Sequence, residues 1–145
     1  MKKEFTKYLK EIGMSNTLCK RVEEIYEFYK EVCPEEITGI FVTDYIQLRV
    51  SREYENLWFF SSNYCMEAKD FQIEDDFDME TIQNRVNHWE IKKENYDFKK
   101  AIGKSRIHLE VGLDVTRGCE FKASKENCDH LKKIFLKYIV PNLKE

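Results

Sequence analysis

The sequence predicts a single α+β domain: an N-terminal helical hairpin, an antiparallel sheet of about six short strands with a short inserted helix, and a long C-terminal helix packed on the sheet. Three observations lead there. From Ile107 to Val115 apolar and polar residues alternate strictly. Ile107, Leu109, Val111, Leu113 and Val115 stand against Arg106, His108, Glu110, Gly112 and Asp114, the period of a strand with one covered and one wet face. From Asn16 to Val32, and again from Cys128 to Ile139, apolar residues recur at helical spacing. Between those stretches, strand-like runs succeed one another across short turns, which favours antiparallel pairing.

In chain order, Phe5, Tyr8, Leu9 and Ile12 set a first helix, and Gly13 ends it by taking a left-handed conformation. Ser15 or Asn16 caps a second helix with Leu18, Val22, Ile25, Phe28, Tyr29 and Val32 on its apolar face and Pro34 behind it. Its mixed-sign opposite face, from Lys20 to Glu31, reads as solvated surface. These two helices make residues 1–33 the hairpin. The sheet region, 38–123, begins with a strand over Thr38–Leu48 and a polar connection over Arg49–Glu55. Strands at Leu57–Phe60 and Tyr64–Ala68 flank the turn Ser61-Ser62-Asn63. The acidic run Glu74, Asp75, Asp76, Asp78 and Glu80 suits the N-terminus of a short helix ending near Val86. Trp89, Ile91, Tyr96 and Phe98 mark a further strand. After Val115 the chain reverses at Thr116-Arg117-Gly118, and Cys119, Phe121 and Ala123 resume the alternation. Ser124 is the expected N-cap of the last helix, 124–140, with Cys128 inward, His130 outward and Pro141 as its stop. From Thr38 to Leu143 this succession of short strands closed by a helix resembles the pleckstrin-homology-like architecture. The resemblance is one of element order, and it implies a fold without a function.

A chain of 145 residues with 14% aromatics buries a core as one domain, and that aromatic load excludes disorder. The net charge of −3 lacks the basic excess of a protein that holds duplex nucleic acid or anionic lipid, so neither nucleic acid nor membrane is an expected partner. No apolar run reaches the ~18 residues of a membrane span, and Met1-Lys2-Lys3-Glu4-Phe5 has no apolar signal core, so a soluble cytoplasmic protein is expected. The five cysteines, Cys19, Cys33, Cys65, Cys119 and Cys128, have neither paired nor zinc-ligand spacing and read as reduced, packed thiols. No cofactor is expected.

Chemistry concentrates in a few places. If the strand around Trp89 pairs with that around Leu109, then His88, Glu90, Lys92, Arg106, His108 and Glu110 share one polar face. Histidines with carboxylates suit a transition metal or proton transfer. Glu90-Ile91-Lys92 and Glu67-Ala68-Lys69 fit the short half of a metal-dependent nuclease pattern, with Asp44, Asp76 or Asp78 upstream. Chance alone yields about four acid-x-base triplets at this charge content, so the pattern is weak. Cys128 and His130 are two apart on a helix and cannot face each other as nucleophile and base. Arg49 and Arg52 flank a loop that would clamp phosphate, but Glu53 and Glu55 offset its field.

The aromatic run Leu57-Trp58-Phe59-Phe60 does not alternate, so both faces of its strand need cover, from the N-terminal helices or from another molecule. Tyr45, Tyr54, Trp58 and Phe59 are therefore the candidate interface residues. The expected function is a small intracellular protein-interaction or ligand-binding module, with a protein partner or self-association. A metal-dependent hydrolase or nuclease built on the polar face is the alternative.

Overall fold

The computed structural model of the chain describes residues 1–47, 51–72, 77–93, 107–113 and 117–143. Helices α1 (Lys3–Glu11) and α2 (Asn16–Val32) form the hairpin. Gly13 joins them at φ +83°, where a side chain would be strained, and the Ser15 hydroxyl accepts from the Leu18 amide at 3.2 Å. The buried face of α2 is Cys19, Val22, Ile25, Tyr26 and Tyr29. Phe28 and Val32, assigned to that face by spacing, are 49% and 61% exposed. Phe28 leans edge-on against Phe77 instead, with centroids 5.8 Å apart.

Two antiparallel sheets, rather than one, follow. Strands β1 (Gly39–Gln47), β2 (Ser51–Phe60), β3 (Tyr64–Lys69) and β4 (Asp78–Gln83) form a four-stranded meander. Strands β5 (Val86–Lys93), β6 (Ile107–Leu113) and β7 (Arg117–Ala123) form a three-stranded one. A 3₁₀ turn (Lys125–Asn127) leads into helix α3 (Cys128–Ile134), which continues through a π-helical turn (Phe135–Ile139) to a last 3₁₀ turn (Val140–Asn142). Pro141 lies in that last turn, and Leu143 leaves it in extended backbone. A meander of four, a meander of three and a closing helix complete the α+β architecture.

Two stretches differ from their sequence reading because strand pairing overrides local pattern. The short helix expected before Val86 is β4, paired with β3 from Tyr64↔Gln83 to Lys69↔Asp78. As an edge strand it needs few anchors, and Ile82 is its only fully buried side chain among the described residues. Residues 51–55, read as a polar connection, extend β2 against β1 from Gln47↔Ser51 onward. Leu48, Arg49 and Val50, the acids Glu74 to Asp76, Tyr96, Phe98 and the reversal at Thr116 lie outside the described residues.

The four-stranded sheet is the middle layer. On one side Phe59 packs against Phe5, Tyr26 and Tyr29, with ring centroids 5.5–6.3 Å away. On the other, Trp58 meets Phe121 of β7 at 4.6 Å and Phe60 stacks on Tyr138 at 4.8 Å. The non-alternating run is thus covered on both faces from within the chain. The strict alternation of β6 also holds, with Ile107, Leu109, Val111 and Leu113 all buried.

A buried polar knot ties the layers together. Asp44 has no exposed surface and accepts from the Ser124 amide (2.8 Å), the Ser124 hydroxyl (2.7 Å) and Asn127 Nδ2 (3.0 Å). Asn127 Nδ2 also donates to the Val42 carbonyl at 2.7 Å, and its Oδ1 accepts from the Tyr8 hydroxyl at 2.7 Å. That hydroxyl accepts in turn from the Val42 amide at 3.0 Å. Arg52 closes the knot: its Nε lies 3.4 Å from Asp44, Nη2 reaches Glu126 at 2.5 Å, and Nη1 donates to the Ile12 carbonyl. Burial pushes the Asp44 carboxyl above the ordinary aspartate range, and the Ser124 and Asn127 donors and Arg52 pull it back. The Ser124 hydroxyl therefore donates to Asp44, where a cap would accept from a helix amide.

His130, placed outward by spacing, is half-buried: it stacks on Tyr8 at 3.7 Å, and its Nε2 meets the Ile40 carbonyl at 2.6 Å. A carbonyl only accepts, so Nε2 carries the proton. Cys128 is buried, as expected, and none of the five cysteines is in a disulfide.

Asp44→Ala strands the Ser124 and Asn127 donors and the Arg52 charge at once, and should cost about 3–5 kcal/mol, read by urea unfolding at unchanged m-value. Burial also lowers the proton affinity of His130 below its ordinary 6.5. The folded chain then binds fewer protons there than the unfolded one, so its contribution is full above pH 6.5 and is lost as pH falls through the lower folded value. Melting-temperature differences between about pH 7.5 and 5.5 should shrink in His130→Phe, which keeps the stack on Tyr8 and removes the titration.

Candidate functional site

Sheet register brings the polar residues together. The pairs Lys92↔His108 and His108↔Lys122 make one row across β5, β6 and β7. Glu90↔Glu110 and Glu110↔Glu120 make the next. His88↔Gly112 and Gly112↔Gly118 make a third, without side chains on two of its strands. Cross-strand partners share a face, so His88, Glu90, Lys92, His108 and Glu110 stand together as the alternation implies. Arg106 lies outside the described residues. The third row works because Gly112 is small: a Cβ there would sit 2.6 Å from the ring of His88 and 2.1 Å from Asn87 Oδ1. His88 and Asn87 are themselves joined at 3.0 Å, next to a register shift between Val86 and His88.

Part of this surface opens into a cleft of about 440 Å³ lined from both sheets. The three-stranded sheet contributes His88, Glu110, Glu120 and Lys122; the four-stranded sheet contributes Glu55, Asn56, Glu67 and Lys69. A β-bulge delivers Glu55 and Asn56 of the second set. Thr43 stands alone on β1 against both Glu55 and Asn56 on β2, between the pairs Val42↔Leu57 and Asp44↔Tyr54. The extra residue breaks the inward–outward alternation, so that consecutive residues reach one site. The Thr43 hydroxyl fills the gap, accepting from the Asn56 amide at 2.8 Å. The side chain of Asn56 then holds Glu67, a carboxylate only 4% exposed, at 3.0 Å. Glu55 reaches across to Lys122 at 3.3 Å, joining the two sheets by an ion pair.

The cleft carries surplus negative charge. Glu55, Glu67, Glu110 and Glu120 stand against Lys69 and Lys122, and Glu55 already engages Lys122. At its rim, one ligand atom each of His108, Glu110 and Glu120 falls within 4.8 Å of the others. His108 Nε2 is buried, 3.6 Å from Glu120, and makes no hydrogen bond among the described residues. A divalent cation with nitrogen and oxygen ligands fits that donor set, with positions left for water or substrate.

Of the two Glu-x-Lys patterns, Glu67-Ala68-Lys69 contributes both polar residues to the cleft, whereas Glu90-Ile91-Lys92 sits on edge strand β5 outside its lining. A third, Glu120-Phe121-Lys122, also lines it; Cys119, Phe121 and Ala123 pointing inward already place these two residues on the wet face of β7. Asp44 belongs to the structural knot, Asp78 faces Lys69 in register on exposed β4, and Asp76 lies outside the described residues. Arg52 is turned into the knot, away from any phosphate-clamping role.

Among the candidate interface residues, Trp58 and Phe59 are fully buried within the chain. Tyr54 donates to the Ile12 carbonyl at 2.8 Å and is also buried. Tyr45 is partly exposed beside Lys122, 5.9 Å from its ring centre. The N-terminal helices, not a partner, cover Phe59. No described helix is long and apolar enough to cross a membrane. Comparison with protein-family models, curated proteins and solved structures finds no match to the chain.

Trp58→Ala should accordingly unfold or destabilise the monomer by about 3–5 kcal/mol in chemical denaturation, with no separable effect on association.

Proposed function

We propose that this chain is a ligand-binding module whose site is the cleft lined by both sheets, and that its ligand carries positive charge. The observation that carries the reading is the excess of carboxylates there, with Glu110 and Glu120 directly opposed across neighbouring strands. Like charges in that relation repel, and a bound cation relieves them. A cleft of about 440 Å³ is of the size that takes a small molecule. Glu67, held by Asn56, supplies a fixed acceptor at its base, and Lys69 and Lys122 provide contacts for polar or anionic parts of the same ligand.

Thermal unfolding with Zn²⁺, Mn²⁺, Mg²⁺ and spermidine, followed by titration calorimetry, tests this. A cation bound only to the native state at 100 times its dissociation constant stabilises by about 2.7 kcal/mol. At least one of the four should do so, and Glu110→Gln and Glu120→Gln should each abolish the shift. Absence of a shift with all four, in a protein that stays folded, overturns the reading.

The close approach of His108, Glu110 and Glu120 favours a second reading, metal-dependent hydrolysis. A metal held there would activate water, and Lys122 on the same strand as Glu120 would position it. Mn²⁺- or Zn²⁺-dependent turnover of bis(4-nitrophenyl) phosphate, lost in Glu110→Gln, supports it. Cation binding without turnover leaves the binding reading alone standing.

A further inference from the structure

Strand β5 is the outer strand of its sheet, bonded to β6 on one side; on the other, among the described residues, only Val86 is bridged, by Leu143. The backbone of an outer strand can bond a further strand. Its core-side residues are incompletely covered: Trp89 is 37% and Ile91 45% exposed, although their row partners Val111, Cys119, Leu109 and Phe121 are buried. Trp89 rests edge-on against Phe135 at 4.7 Å, which fixes the ring and leaves its other side open. An apolar sheet edge of this kind is a pairing surface.

We propose that β5 pairs with β5 of a second copy, antiparallel about a two-fold axis at Ile91, to make a continuous six-stranded sheet. Self-complementarity of the strand argues for this occupant. In an antiparallel two-fold pair, directly opposite residues must lie on the same face, so only registers centred on a residue are allowed. Centring on Glu90 sets Glu90 against Glu90 and His88 against Lys92. Centring on Lys92 sets Lys92 against itself. Centring on Trp89 sets Val86 against Lys92 and draws the irregular Val86–His88 segment into the pairing. Centring on Ile91 places Glu90 opposite Lys92 twice on the wet face. On the apolar face it sets Ile91 against Ile91 and Trp89 against Lys93 twice, the last a cation–π arrangement. Every pair from residue 89 to residue 93 is then complementary, and the exposed sides of Trp89 and Ile91 are covered. The charges that would deter random strand addition select this one partner and register.

The test is the mass of the full chain by native mass spectrometry and light scattering, with melting temperature as a check on folding. The wild type is expected at twice the 17.5 kDa chain mass. Glu90→Lys alone and Lys92→Glu alone each create two like-charge pairs and should give monomers with unchanged melting at low concentration. The double exchange E90K/K92E restores opposite charges at both positions and should return the dimer. A wild-type monomer at the highest attainable concentration overturns the proposal. So does a dimer indifferent to the single changes, or a double variant that stays monomeric although folded.

Discussion

Asp44 is the constraint on which the rest of the molecule depends. A carboxylate with no access to water is costly unless it is fully engaged, and here its partners come from elements far apart in the chain. Ser124 and Asn127 begin the C-terminal helical run, Arg52 belongs to β2, and Asn127 relays the contact to Tyr8 of α1 and the backbone of β1. One side chain thus orients the helical hairpin, the first two strands and the closing helix relative to one another. Apolar contacts between Phe59 and the hairpin, or between Trp58 and Phe121, supply burial without direction. The knot adds direction, because its hydrogen bonds require those elements to meet in one relative placement.

The same stretch of β1 sets up the cleft. Asp44 must point into the knot and Val42 must bond Asn127, and Thr43 between them faces the bulge in β2. The bulge turns Glu55 and Asn56 toward the cleft and sends Tyr54 and Arg52 back toward α1. Structural and candidate functional residues therefore lie next to one another along β2 because one residue was inserted into its ladder. A shift of that irregularity by a single residue would exchange the two sets.

Much of the architecture was legible in the sequence. The alternation from Ile107 to Leu113, the cap at Ser15, the left-handed Gly13 and the turn at Ser61-Ser62-Asn63 all report local physics, and all appear in the fold. The polar face of the three-stranded sheet was legible too, since His88, Glu90, Lys92, His108 and Glu110 follow from parity once β5 and β6 pair. The reading failed where long-range pairing decides. The acidic run Glu74 to Glu80 suits a helix N-terminus, yet pairing with the edge of β3 draws residues 78–83 into a strand. Phe28 and Val32 fit a helical stripe, yet both stay exposed in the fold. Glu55 and Asn56 carried no local signal, because a bulge is a relation between two strands.

By itself the sequence determined element type wherever a period of two or of 3.6 was sustained, together with the choice of an α+β class and the need to cover the Leu57–Phe60 strand on both faces. Those are properties of backbone geometry and side-chain solubility, complete within about ten residues. Only the tertiary structure decided which elements supply the cover, that the strands divide into sheets of four and three, and that acids from β2, β3, β6 and β7 converge on one cleft. Each of those outcomes depends on register and on a buried hydrogen-bond network between residues separated by as many as 119 positions. No local pattern encodes such relations, because their energies arise only when the partners meet in the absence of water.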